Sequence, residues 1–322
     1  MTDNQKAISV LTVNTLSFIV CFACWMLYGV LITFLVDNGV FNFDKSQMGI
    51  LIGTPVLTGS IVRLPVGVWT DRYGGRIVFL LVMIVSAIAM YLVSYCNTFT
   101  EFLLAGLGFG LCGTSFAVGI AYTSIWFPKE RQGTVLGIFG AGNAGAAITS
   151  FGAPLVLNVL TNNGQNLDGW RMLPRFYAGI LIVTCIIFWL GSHPKKIEHG
   201  AGFTLMQQLA PLKYPRVWRF GLYYFFVFGG FVALSQWLIP YYLNVYGMTL
   251  ATAGLMASLF SLPSGVIRAF GGWLSDLFGA RKVMYWVFGS CLVACALLCV
   301  PRMDIMSPGE GVMAIKKGGV TQ

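Results

Sequence analysis

Long apolar runs alternate along the chain with short clusters of charge, glycine and proline. The hydrocarbon core of a bilayer is about 30 Å thick and takes roughly 20 apolar residues of helix to cross. Nine stretches meet or approach that length: 8–36, 47–69, 77–97, 101–127, 133–160, 174–191, 217–243, 251–273 and 283–300. The first is too long for the apolar region of a signal peptide, and Asp3 precedes it without a basic cluster, so it reads as a span. Runs of this length in lipid satisfy their backbone polar groups as helices, which predicts an all-α membrane protein.

Composition sharpens this reading. Of 322 residues, 57% are hydrophobic and only 10% charged, whereas a soluble domain is nearer a quarter charged. Soluble enzyme folds, nucleic-acid modules and disulfide scaffolds are thereby excluded. The eight cysteines (Cys21, Cys24, Cys96, Cys112, Cys185, Cys291, Cys295 and Cys299) lie in or beside apolar runs and read as small apolar residues. His193 and His199 fall in the longest polar segment and read as solvated loop residues rather than a metal site.

The net charge of +9 matters for where it sits. With the N-terminus in the cytoplasm, twelve of the twenty basic residues fall in cytoplasmic segments and six on the opposite side. That excess predicts an N-inside orientation. The two left over, Arg63 and Arg268, lie inside apolar spans. Residues 1–191 are expected to form a six-helix bundle, 192–216 a cytoplasmic linker, 217–300 a partial second bundle and 301–322 a polar tail.

The segment IVRLPVGVWTDRYGGR (61–76) matches VIRAFGGWLSDLFGAR (266–281) at a constant offset of 205. The aligned pairs are Arg63/Arg268, Gly67/Gly272, Asp71/Asp276, Gly74/Gly279 and Arg76/Arg281. The copies close the second and eighth spans, six spans apart. Parallel six-span repeats are a transporter architecture, and G-x-x-x-D-x-x-G-x-R resembles the signature of the major facilitator superfamily. The resemblance implies a major facilitator fold, a six-helix N-terminal bundle plus three helices of an incomplete C-terminal bundle. It makes the two copies the conformational-switch motif.

An arginine at a helix centre costs roughly 2.5–3.5 kcal/mol on insertion scales. All eleven acidic residues lie in loops, in the tail or at span edges. Arg63 precedes Asp71 by eight residues, and Arg268 precedes Asp276 by eight, which places both about 12 Å from the cytoplasmic face. At that depth snorkelling is strained. The simplest compensating charge is a mobile anion, and two guanidinium forks suit a planar oxyanion bidentately.

Residues 133–147 read GTVLGIFGAGNAGAA, in which Gly140, Gly142 and Gly145 spell G-x-G-x-x-G, with Asp168 at the distance of a ribose contact. That motif binds dinucleotides only in a strand-turn-helix unit, and here it lies inside a span. Small residues at this spacing let helices approach closely, which leaves the amide of Asn143 unexplained.

GIFGAGNAG (137–145), the preceding GTSFAVGIAYTSIWFPKERQG (113–133) and YYFFVFGGF (223–231) resemble the nitrate/nitrite porter family. PRMDIMSPGEGVMA (301–314) is similar to the start of an insertion that some members carry. The resemblance implies that Arg63 and Arg268 bind the anion, that Asn143 donates a further hydrogen bond, and that Phe116, Tyr224 and Phe228 wall the site. Helical rise sets Asn143 about 15 Å, Phe116 about 18 Å, Phe228 about 14 Å and Tyr224 about 8 Å from the cytoplasmic face, so Tyr224 is the shallowest.

The family has twelve spans and a second signature on its eleventh, so the chain is expected to be truncated after the ninth. The implied function is secondary transport of nitrate and nitrite by alternating access. Exchange is preferred because the spans hold no proton relay, and proton-coupled uptake stays open. A transporter of another small anion, formate or an organic carboxylate, is the first alternative; a non-transporting fragment is the second. No cofactor, metal, nucleic acid or enzymatic activity is expected. The partners are the anion and the lipid bilayer, for a monomer in a bacterial inner membrane.

Overall fold

The computed structural model describes residues 2–195 and 209–298. Among them, nine helices are long and apolar enough to cross a membrane. They are α1 (Asp3–Asp37), α2 (Lys45–Tyr73), α3 (Gly75–Val93), α4 (Phe99–Ser124), α5 (Lys129–Leu160), α6 (Leu167–Gly191), α7 (Pro215–Tyr246), α8 (Leu250–Phe278) and α9 (Ala280–Leu297). Every expected span is present. The largest difference in boundary is at α6, which opens seven residues early because Leu167–Arg171 forms a 3₁₀ turn ahead of the helix. Most of the expected linker, His199 and the polar tail lie outside the described residues.

Local chemistry fixes several helix starts. Thr2, Asp44 and Thr98 each cap a helix through a box closed by Gln5, Gln47 and Glu101 respectively. Glycines make the tight turn near the end of each repeat. Gly74, between α2 and α3, has φ +88° and Gly279, between α8 and α9, has φ +86°, a conformation that side chains rarely adopt. The internal repeat is therefore a repeat of backbone shape as well as of letters.

Helix α1 forms the axis of the first bundle and packs against α4, α5 and α6. Its Phe18, Phe22, Trp25 and Tyr28 are buried with Phe102, Phe109, Phe139 and Phe188 from the surrounding helices. Leu81, Ile88, Leu104, Val183 and Leu190 point outward, as membrane-facing surfaces do. Helices α7–α9 lie against this bundle mainly through α5 and α8. Along that seam a Cβ on Gly272 would run into the Gly133 carbonyl, and one on Gly137 into the Arg268 carbonyl. Glycine at these positions lets the two backbones touch.

Five spans depart from regular α-helix near mid-length. Helix α1 breaks at Met26 and α2 at Val62. A 3₁₀ segment interrupts α4 at Gly110–Thr114 and α5 at Ala141–Ala144, and a π segment interrupts α7 at Phe225–Gly229. The break in α2 has a local cause: Pro65 has no N–H, and its ring crowds the Ile61 carbonyl. Its repeat mate is Phe270, and there α8 runs on unbroken from Leu250 to Phe278.

Candidate functional site

The irregular segments converge on the two arginines. Arg63 begins the second piece of α2, immediately after the Val62 break. Its Nη2 donates to the carbonyl of Gly113 at 2.8 Å, an acceptor supplied by the 3₁₀ segment of α4. Its Nη1 donates to the Tyr224 hydroxyl at 3.2 Å, and its Nε is sealed from solvent with no partner among the described residues.

Arg268 sits on the unbroken α8, opposite the 3₁₀ segment of α5 that carries the fully buried Asn143. The Asn143 amide is assigned with its oxygen toward Arg268, because the reverse orientation would set its N–H₂ against donors. The oxygen then lies 2.8 Å from Nε, 2.9 Å from Nη1 and 3.0 Å from Nη2. Near-equal distances to all three nitrogens of a planar group put the oxygen over the guanidinium face, so the in-plane donors along its edges are not spent on it.

Aromatic rings flank both arginines. Phe116, Tyr224 and Phe228 are mutually stacked, with centroids 5.4 Å (Phe116–Phe228), 4.9 Å (Tyr224–Phe228) and 6.1 Å (Phe116–Tyr224) apart. The guanidinium carbon of Arg63 lies 5.5 Å from the Phe228 centroid, and that of Arg268 lies 5.8 Å from the same ring. The two cations therefore stand at most about 11 Å apart, the sum of those distances. Phe116 lies 5.9 Å beneath Arg63, and Phe231 lies 5.4 Å beneath Arg268. Among the described residues the one salt bridge joins Lys6 to Asp3, so neither buried guanidinium has a carboxylate partner there.

A cavity of about 600 Å³ opens between α1, α2 and α7, lined by Trp25, Ser60, Arg63, Tyr224, Phe228 and Gln236 among others. Contacts around Phe228 and Arg268 bring all six expected site residues together, and of them Arg63, Tyr224 and Phe228 line this cavity. Tyr224, the shallowest by helical rise, reaches Arg63 through the length of its phenol. Two contributors escaped the sequence reading. Phe231 follows Phe228 by three residues, a same-face helical spacing that carried the signal. The Gly113 carbonyl carried none, because a main-chain acceptor leaves no mark in residue type.

The two signature copies are placed differently. Asp276 accepts from the N–H groups of Gly133 and Thr134 at 2.9 and 2.6 Å, and from the Thr134 hydroxyl at 2.6 Å. It caps the start of α5 across the seam. No hydrogen bond among the described residues involves Asp71, and a Cβ on Gly67 would meet nothing within 4 Å. Arg76 stacks on the Trp189 ring at 4.0 Å and donates to Ser192 and the Trp189 carbonyl. Arg281 lies over Tyr285 and donates to its hydroxyl.

Residues 14–314 match the family model described as Major Facilitator Superfamily. A "Probable nitrate/nitrite antiporter NarK1" of Thermus thermophilus is 43% identical over 313 residues, covering 94% of this chain and 69% of that protein. A "Nitrite extrusion protein" of Bacillus subtilis is 28% identical over 311 residues, covering 96% of this chain and 75% of that protein. Among solved structures, an inward-facing, unoccupied bacterial homologue of the human lysosomal transporter Spinster superposes with a TM-score of 0.63 at 20% identity. That match covers 86% of this chain and 64% of the solved one.

Proposed function

This chain belongs to the major facilitator superfamily and, within it, to the nitrate/nitrite porter family, and from that premise we propose that it carries nitrate and nitrite across a bacterial inner membrane with the anion held between Arg63 and Arg268. One observation carries the site: two guanidiniums lie within 5.8 Å of the Phe228 ring centroid and have no carboxylate partner among the described residues. The names of the relatives support the choice of anion.

A guanidinium is a planar fork of donors suited to an oxyanion and not to proton relay, so each arginine binds anions. A planar oxyanion meets the unpaired edge donors of Arg63 and Arg268, while the stacked rings exclude water and select for a flat, weakly hydrated ion. Gly113 and Tyr224 aim Arg63; the Asn143 oxygen steadies Arg268 over its face. Asn143 acts in this conformation as an acceptor toward the arginine, a positioning role beside the donor role that similarity implies.

Alternating access follows from rocking residues 217–300 against residues 1–191, with Asp276 releasing α5 when the cytoplasmic face opens. Emptying the site leaves two cations within about 11 Å, a repulsion of at least about 1.5 kcal/mol at an effective dielectric near 20. Bound anion removes that repulsion, so the loaded carrier switches more readily than the empty one, and exchange of one anion for another results. The positive excess supports an N-terminus in the cytoplasm.

The test is counterflow in proteoliposomes. Vesicles loaded with unlabelled nitrite should draw in labelled nitrate, and Arg63→Lys should abolish the flux. Uptake by the Arg63→Lys protein at the parent rate overturns the reading; formate competing as well as nitrate reassigns the cargo.

A further inference from the structure

Four polar side-chain contacts join residues before the linker to residues after it, among those described. Asp276 holds Gly133 and Thr134 at one end of the seam. Arg63–Tyr224 and Asn143–Arg268 lie at mid-depth. The fourth lies on the far side of the arginines from Asp276, about 12 Å along α7 from Phe228, where Gln236 Nε2 of α7 donates to the Trp25 carbonyl of α1 at 3.5 Å. It is the longest of the four.

Gln236 is 2% exposed, and its Oε1 is sealed from solvent with no hydrogen-bond partner among the described residues. That oxygen presses on Gly29, where any Cβ would overlap it. Its neighbour Trp25 ends the first piece of α1, beside the Met26 break, and is pinned from its other side by the bond from its indole N–H to the Pro55 carbonyl at 2.7 Å. Gln236 also lines the cavity that reaches Arg63. A buried acceptor left unpaired costs its desolvation in full, while the same oxygen in water costs nothing.

We propose that Gln236 is the positioning residue of the outer seal: its amide oxygen is deprived of a donor only while α1 and α7 are closed on each other, which keeps the seal metastable. Separation of α1 from α7 lets water reach the oxygen and opens the cavity toward Arg63. The inner end has no such fault, because every contact of Asp276 there is between a donor and a charged acceptor. The two ends of one seam are thus unequal, and the outer one yields first. The inference rests on the transport reading for its meaning, and its chemistry stands apart from the cargo.

Hydrogen exchange on the protein in lipid nanodiscs, without nitrate, reads the seal directly, since exchange in a buried segment follows the population of its opened form. Gln236→Leu keeps the side chain's bulk and removes the unpaired oxygen. Amides of Leu27–Asp37 should exchange about five-fold more slowly or less, with those of α3 unchanged. Gly29→Ala wedges the same contact and should speed them about three-fold. A Gln236→Leu protein whose outer α1 amides exchange as fast as the parent's, or faster, overturns the proposal whatever Gly29→Ala does. Nitrate counterflow on the same preparations separates the two readings. Slowed exchange without nitrate flux in the parent refutes the cargo and leaves the seal; flux without slowed exchange does the reverse.

Discussion

The Asn143 oxygen stands over the guanidinium face of Arg268, within 3.0 Å of all three nitrogens. A neutral dipole occupies the place where a buried cation ordinarily meets a carboxylate. It steadies the charge without cancelling it, and the charge stays free to attract cargo.

Replacing that dipole by a charge tests the point. Asn143→Asp should fold, because it supplies Arg268 with a counter-ion, yet nitrate affinity should fall well beyond that of Asn143→Ala. The alanine variant loses one contact to a charged group and should weaken binding by about 1–3 kcal/mol. Titration calorimetry on purified protein decides it, and an aspartate variant binding as tightly as the parent refutes the idea.

Geometry should matter as much as charge at both arginines. Lysine at 63 or 268 keeps the positive charge and gives up the planar fork. Labelled-nitrate counterflow should drop at least ~tenfold in each single variant, the scale of one charge-assisted bond lost. Thermal stability should fall more modestly than flux: no salt bridge is lost among the described residues, but the Gly113 and Tyr224 bonds of Arg63 and the Asn143 contact of Arg268 are weakened.

Phe228 touches both cations, at 5.5 and 5.8 Å. Phe228→Leu preserves apolar bulk and removes two cation–π contacts, each worth about 0.5–2 kcal/mol when desolvated. The KM for nitrate should rise several-fold, and a KM equal to the parent's would reduce the ring to packing.

The repeat offers an internal control. A methyl added at Gly272 meets the Gly133 carbonyl, whereas one added at its mate Gly67 meets nothing. Gly272→Ala should lower the melting temperature in detergent, by an overpacking penalty of about 1–3 kcal/mol; Gly67→Ala should leave it unchanged. Equal shifts for the two would mean the seam is not packed as described.

Much of this was legible before any coordinates. Span length and the scarcity of charge exposed nine helices, and the constant offset between two signatures exposed the repeat and the paired arginines with it. Boundaries drifted where polar turns such as Leu167–Arg171 wind as 3₁₀ helix ahead of a span. The partners of Arg63 were half-hidden, because a carbonyl such as that of Gly113 is present at every position and helical rise ignores the reach of a side chain such as Tyr224. Departures from α-geometry were the least visible. Pro65 announces the break before it, but the π segment of Phe225–Gly229 depends on how α7 packs.

That proline exists in only one copy of the repeat. Arg63 consequently rides on a jointed rod and Arg268 on one that runs through Pro263 without a break, so the grip has a hinged jaw and a continuous jaw. Closing on an ion of a different size is then work for the hinged side alone, and swapping Pro65 with Phe270 should exchange which half adapts.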